Sequence, residues 1–333
     1  MVNVQVTRRY IAALIFLSGM VCAEAVPAAE NDACAVIEAA EQRLECYDKQ
    51  AALAQVQEIK RNDEYLESPL KKRIESEKKI SILGDFIIVP HRPTYIMPVT
   101  YQQDVNTEPY IQAYGAQAEQ VDKAEFKYQI SFKVPLWLDI ADKDMSLWFG
   151  YTQLSLWQIY NTDNSSPFRE TNYEPELMLV FDTDFKLFGM NNTFITIGFD
   201  HQSNGQTKPL SRSWNRLYAN FVLETKNVVM FVKPWLRLPE DDDDDDNPDI
   251  EDYMGYGELS MYFKNENRIT GIRLWNNLDS ENNRTSIQLD WNFPIGSGFK
   301  GYVQYFNGYG ETLVDYNYRN KRIGFGVMLT DWF

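Results

Sequence analysis

Histidine and cysteine are scarce in this chain: two of the first and three of the second among 333 residues. Imidazole chemistry can therefore rest only on His91 or His201. Long apolar runs are missing as well. The best candidate, Tyr10 to Val21, falls short of the ~20 residues that a membrane-crossing helix needs. Positive charge is in deficit, with 32 Lys and Arg against 48 Asp and Glu and a net charge of −16. A surface this acidic argues against a nucleic acid partner. The run Asp241 to Asp246 supplies over a third of that charge. It reads first as a solvated loop and second as a diffuse attractor for divalent ions.

What is present at the N-terminus sets a compartment. Arg8 and Arg9 precede the apolar run, and Ala23-Glu24-Ala25 offers small residues for cleavage after Ala25, the layout of a secretory signal peptide. A lipoprotein reading through Cys22 fits less well, because Val21 stands where a small residue is expected. The expected domains are a signal peptide over 1–25, a charged, helix-prone periplasmic extension over 26–80, and a barrel over 81–333. In the extension, an unbroken helix would hold Cys34 and Cys46 about 18 Å apart. A disulfide there requires the chain to fold back as a short helical hairpin. The oxidising periplasm favours the pairing, and no further metal ligand stands beside the two cysteines. Residues 48–79 lack a strong apolar stripe and read as a tether.

From about residue 93 the chain changes character. Aromatic residues become frequent, and ten-residue stretches alternate apolar with polar, as strands do when only every second side chain faces lipid. Twelve strands are expected near 93–102, 126–138, 145–159, 173–184, 192–203, 212–225, 227–238, 252–264, 267–276, 284–293, 298–308 and 320–333. Connections after the odd strands are long or polar, and those after the even ones are mostly short. The fold class is therefore all-β, a 12-stranded antiparallel transmembrane β-barrel with both ends periplasmic. Ile323, Phe325, Val327, Leu329 and the terminal Phe333 share one parity of the last strand, with Asp331 interrupting, and resemble a recognition signal for barrel assembly machinery. A soluble β-sandwich would explain the strands alone, but not the signal peptide and this ending.

One hairpin concentrates the chemistry. Along 192–203, Ile195, Ile197, Phe199, His201 and Ser203 share a face. Along 213–223, Asn215, Leu217, Ala219, Phe221 and Leu223 do the same. If the register pairs 201 with 215, a nucleophile, a base and an orienting amide meet on one apolar surface. A serine hydroxyl needs an adjacent base, and the base needs a third group on its other nitrogen. Asn215 supplies that bond without a charge. On the hairpin alone, a strand-end histidine anchoring the membrane interface explains His201 equally well. His91, in the Pro-flanked His-Arg-Pro with no carboxylate or Cys pattern near it, reads as a surface or turn residue.

Several blocks extend the hairpin: His201-Gln202-Ser203-Asn204-Gly205, Ser211-Arg212-Ser213-Trp214-Asn215-Arg216-Leu217-Tyr218, Lys233-Pro234-Trp235, Asn247-Pro248-Asp249, Tyr253-Met254-Gly255-Tyr256 and the stretch from Ser165 to Pro175. In this order, over roughly residues 81–333, they resemble the bacterial outer-membrane phospholipase A family. The resemblance implies calcium-dependent hydrolysis of acyl esters of phospholipids and lysophospholipids. It implies Ser203 as nucleophile, His201 as base, Asn215 as orienter and the Gly205 N–H in the oxyanion hole. Calcium would be held by the Ser211 hydroxyl, the Gln206 backbone carbonyl and the backbone carbonyl of the partner subunit's Ser165. A second calcium site in the family uses two aspartates. Asp246 matches one, but Lys208 stands at the other, and an ammonium cannot ligate a cation.

The resemblance also implies a reversible homodimer through Gln153. That amide shares parity with Leu147, Phe149, Tyr151 and Trp157 on a face that otherwise meets hydrocarbon, where an unpaired amide costs several kcal/mol. Either it stands high enough to reach water or it meets a partner, and the resemblance implies the second. A passive pore or adhesin is the competing class, disfavoured by the narrow lumen of about twelve strands. An outer-membrane protease would call for acidic pairs and a loop histidine that this chain lacks.

Overall fold

The structure, a computed structural model, describes Cys34 and residues 37–51, 53, 68–83, 87–115, 121–142, 144–241, 243–296 and 298–331. The expected signal peptide, Cys22, much of the extension and Phe333 lie outside the described residues. Cys34 and Cys46 form a disulfide with Cα atoms 5.6 Å apart. The fold-back comes from a turn at Cys34 leading into a helix over 40–51, which we label α1.

Twelve strands close into a single antiparallel barrel, preceded by a two-residue strand, β1 Val89–Pro90, that adds to the second of them. The twelve are β2 Thr94–Gln102, β3 Ala124–Trp137, β4 Met145–Trp157, β5 Phe168–Leu187, β6 Met190–Ser203, β7 Ser213–Glu224, β8 Val228–Leu238, β9 Gly257–Asn265, β10 Arg268–Asn276, β11 Thr285–Pro294, β12 Lys300–Gly308 and β13 Asn320–Thr330. Each pairs with its sequence neighbour, and β2 pairs with β13 to close the ring. Closure removes the free strand edges that lipid would leave unsatisfied. Outward residues such as Ile197, Phe199, Leu217 and Trp291 are exposed, as side chains awaiting hydrocarbon are. Among the described residues no helix is long and apolar enough to cross a membrane.

Two strand boundaries differ from expectation for identifiable reasons. β5 begins at Phe168, five residues early, because Arg169, Glu170 and Asn172 point into the lumen and are buried there with partners. β9 begins at Gly257, because residues 251–254 form a helical turn ended by Gly255 at φ 68°. A Cβ at Gly255 would lie 2.0 Å from the Asn276 carbonyl oxygen, so only glycine fits.

The lumen is filled by paired charges. Arg169 bridges Glu125 and Asp315, at 2.7 and 2.9 Å. Lys127 meets Glu311 at 2.8 Å, and Arg322 reaches both Glu125 and Glu311. Arg216 spans Asp200 and Glu174 at 2.7 and 3.1 Å and lies over the Trp214 ring. His91 corrects the sequence reading. Far from a surface turn, it enters this lumen and its Nε2 sits 2.7 Å from the Glu176 carboxylate, beside the Arg92–Glu174 fork. The sequence could not show this, since Glu176 lies 85 positions away. Between these pairs lies a cavity of about 270 Å³, lined by residues that include Arg92, Glu174, Glu176 and Lys233.

A second helix, α2 Pro69–Leu83, lies across the short-turn end of the barrel. Leu70 packs with Phe194, Val222 and Val229. Arg73 donates to the backbone oxygens of Pro90 and Asp331, Glu77 meets Lys133 at 2.9 Å, and Lys78 meets Asp182 at 2.5 Å. This segment is docked, not a tether: one apolar contact at Leu70 and polar bonds from Arg73, Glu77 and Lys78 hold it, without a long apolar stripe. The boundary expected at residue 80 falls inside it.

Candidate active site

The β6–β7 hairpin has the register that the alternation required: His201 pairs with Asn215, and Ser203 with Ser213. His201 Nδ1 stands 2.8 Å from Asn215 Oδ1. Ser203 follows two residues on, on the same outward face, at the last position of β6. Among the described residues no hydrogen bond holds its hydroxyl. Catalytic hydrogen bonds often tighten only when substrate is bound. Directly inside, Gln202 accepts from the Trp214 indole at 2.8 Å and Asp200 holds Arg216. The inward residues thus fix the pleat that aims the outward ones.

The loop beyond Ser203 is organised by one buried asparagine. Asn204 Nδ2 donates to the Leu210 carbonyl at 2.8 Å, and its Oδ1 accepts from the N–H of Gln206 and of Arg212 at 3.3 and 3.0 Å. Gly205, exposed and at φ 65°, makes the left-handed step that this path requires. The turn leaves the Gly205 N–H two residues beyond Ser203 in the chain.

The proposed calcium ligands are brought together in part. Ser211 Oγ donates to the Asp246 carboxylate, whose other oxygen is buried without a hydrogen bond and lies 3.4 Å from Lys208 Nζ. Lys208 also donates to the Asp243 carbonyl at 3.0 Å. A hydroxyl, an incompletely satisfied carboxylate oxygen and nearby backbone carbonyls are hard oxygen donors of the kind calcium takes. Among the described residues no group of three or more acidic, His or Cys side chains could hold a metal, and a cation here would need backbone carbonyls and water as further donors. Ser165 is exposed, in the loop between β4 and β5, away from Ser211 in the contacts of one chain.

Gln153 departs from the expectation that its amide needs an outside partner. Its Oε1 accepts from the Tyr151 hydroxyl at 3.1 Å, and its Nε2 donates to Ser155 Oγ and to the Tyr128 hydroxyl at 3.1 and 3.3 Å. The cost of a bare amide therefore does not by itself demand a second subunit. Sequence reasoning also missed Glu240, whose Oε1 accepts from Asn215 Nδ2 at 2.9 Å. It opens an acidic run that reads as solvated, and nothing in its sequence setting marks it out.

Comparisons with known proteins bear on the fold and the family. A family profile described as phospholipase A1 matches residues 70–329. The chain is 40% identical to phospholipase A1 of Klebsiella pneumoniae over 248 residues, 74% of this chain and 84% of that one. The same identity holds for the Escherichia coli K12 enzyme, over 83% of its length. Among solved structures, outer membrane phospholipase A of Escherichia coli superposes with a TM-score of 0.70 at 39% identity, covering 75% of this chain and 94% of that one. The Salmonella typhi outer membrane phospholipase, a dimer with bound calcium, matches with the same score and coverage at 38% identity. On this fold, family match and identity, the chain belongs to the phospholipase A1 family and is an outer-membrane β-barrel phospholipase.

Proposed function

We propose that the chain hydrolyses acyl esters of phospholipids and lysophospholipids at the lipid-facing rim of its barrel, through Ser203, His201 and Asn215. The observation that carries this is the 2.8 Å contact of His201 Nδ1 with Asn215 Oδ1 on an apolar outward face that also bears Ser203. With Nδ1–H held by the amide oxygen, Nε2 is left as the base. Ser203 Oγ attacks the ester carbonyl carbon as its proton passes to Nε2. The imidazolium returns that proton to the departing lyso-lipid alkoxide, and water, activated the same way, releases the fatty acid. The Gly205 N–H offers one donor to the tetrahedral oxyanion.

Ser211, the Gln206 carbonyl and the partner subunit's Ser165 would hold calcium; when bound, it supplies positive charge beside the developing oxyanion. The Lys208 ammonium beside Asp246 supplies a fixed cation in place of a second ion. The dimer rests on the Salmonella typhi relative, and Gln153 would exchange its Tyr128 and Tyr151 bonds for ones across the interface. Long loops extracellular, both ends periplasmic, export by residues 1–25 and insertion by barrel assembly machinery complete the reading.

Treating the purified protein with a sulfonyl fluoride and mapping the modified peptide tests it. Modification at Ser203 with loss of hydrolysis is expected. Full inactivation with Ser203 unmodified overturns the nucleophile. Cross-linking in calcium and substrate should capture a dimer that Gln153→Ala weakens, and full specific activity in a monodisperse monomer would sink the dimer alone.

A further inference from the structure

Asparagine has two weaknesses as the third member of a hydrolase triad. Its amide oxygen and nitrogen are nearly alike in shape, and only the oxygen can accept the Nδ1 proton of the histidine. It also carries no charge to set against the imidazolium that forms when the base takes the serine proton. Glu240 meets both. Its Oε1 accepts from Asn215 Nδ2 at 2.9 Å, while Asn215 Oδ1 stands 2.8 Å from His201 Nδ1. A carboxylate offers acceptors only, so the nitrogen of the amide turns to Glu240 and the oxygen is left for His201.

The strand ladder sets this placement. Leu238, the last residue of β8, pairs directly with Asn215, and Glu240 follows two positions later. Half-buried Glu240 is therefore set apart from the exposed Asp241, Asp243 and Asp244. We propose that Glu240 is a positioning residue of the hydrolase site: it fixes the Asn215 amide and supplies, one hydrogen bond removed, the negative charge that asparagine lacks. The proposal rests on the Ser203, His201 and Asn215 reading above.

The surroundings suit that role. Burial, with Asp245 adding to it, raises the Glu240 carboxyl above its ordinary value, while Arg237, the Asn215 amide and His201 act against the rise. Arg237, the largest of these opposing influences, is itself held by Asp245 at 2.6 Å. A nearby anion favours the charged form of an imidazole. Removing it lets the neutral base persist to lower pH, so the acid limb of the activity profile should move downward.

The test compares wild type, Glu240→Ala, Glu240→Gln and Ser203→Ala. It measures kcat and KM on phospholipid in mixed micelles with calcium, and the rate of Ser203 modification by a sulfonyl fluoride, across the pH range in which histidine titrates. Glu240→Ala should lower kcat about tenfold with KM nearly unchanged and shift the acid limb down. Glu240→Gln keeps an acceptor for Asn215, so it should recover most of kcat yet retain the shifted limb. Wild-type rates and an unmoved limb in both variants overturn the proposal. So does an equal loss in both with the limb unmoved, which marks a merely structural role. Gel mobility without heating verifies each folded barrel, and the shape-conserving Glu240→Gln is decisive if Glu240→Ala misfolds. Activity surviving in Ser203→Ala would overturn the triad itself, whereas an inert Ser203→Ala beside wild-type-like Glu240 variants overturns only this proposal.

Discussion

The two faces of β6 and β7 treat polar residues in opposite ways. Inside, Asp200 and Arg216 are closed upon each other and upon Glu174, each buried. Outside, one position over, His201, Asn215 and Ser203 stand on an apolar surface in a line, with the serine hydroxyl held by nothing among the described residues. A buried charge left unpaired is too costly to keep, so the inner face is obliged to pair. The outer rim, half-exposed, carries no such obligation. Polar groups inside build the barrel, and the few outside are available for chemistry.

The sharpest break of that comparison is at the outer serine. Ser203→Ala and His201→Ala should each lower phospholipid hydrolysis by on the order of a thousandfold or more while the barrel stays folded. Asn215→Ala should be milder, because it orients rather than transfers the proton. Turnover by Ser203→Ala above a few per cent of wild type, measured in detergent micelles, would remove the outer face from catalysis. Next in size is the inner face. Arg169→Ala removes the cation paired with Asp315 and one of the two paired with Glu125 in the lumen, and should cost about 3–5 kcal/mol in urea unfolding from lipid vesicles. A loss below about 1 kcal/mol would show that the interior pairs do not carry the fold.

Calcium gives a smaller effect that belongs to the rim alone. Chelation should depress hydrolysis, and Ser211→Ala should raise the calcium needed for half-maximal rate by about tenfold or more, with urea stability unchanged. An unmoved calcium requirement would take Ser211 out of the ligand set. The smallest effect concerns α2. Burial works against the Glu77 charge, but Lys133 and Arg73 outweigh it and hold the carboxyl below its ordinary value. Its stabilising contribution is therefore full above about pH 4.3 and is lost as pH falls through the depressed value. Proteolytic release of α2 should rise in wild type only in that acid range, whereas Glu77→Gln should be cut more readily at neutral pH. Equal protection of both at neutral pH would mean that Glu77 does not hold the helix.

Alternation carried much of this in advance. The period of two along β6 and β7 placed His201, Ser203 and Asn215 on one face, because side-chain direction in a strand is a local property. Twelve strands and their loop asymmetry were legible on the same ground. His91 was not, since its partner Glu176 comes from another strand. Nor was α2, whose docking is a matter of charge against the lumen rather than of an apolar stripe.

Which side chains face lipid and which face the lumen follows from short-range alternation, and the ordered motif blocks carry the family. Only the tertiary structure decided who pairs with whom: Gln153 with its own tyrosines, His91 with Glu176, and Asn215 with Glu240. Closing the barrel sets distances between residues far apart in the chain, and a hydrogen bond or ion pair depends on that distance rather than on the pattern of either segment.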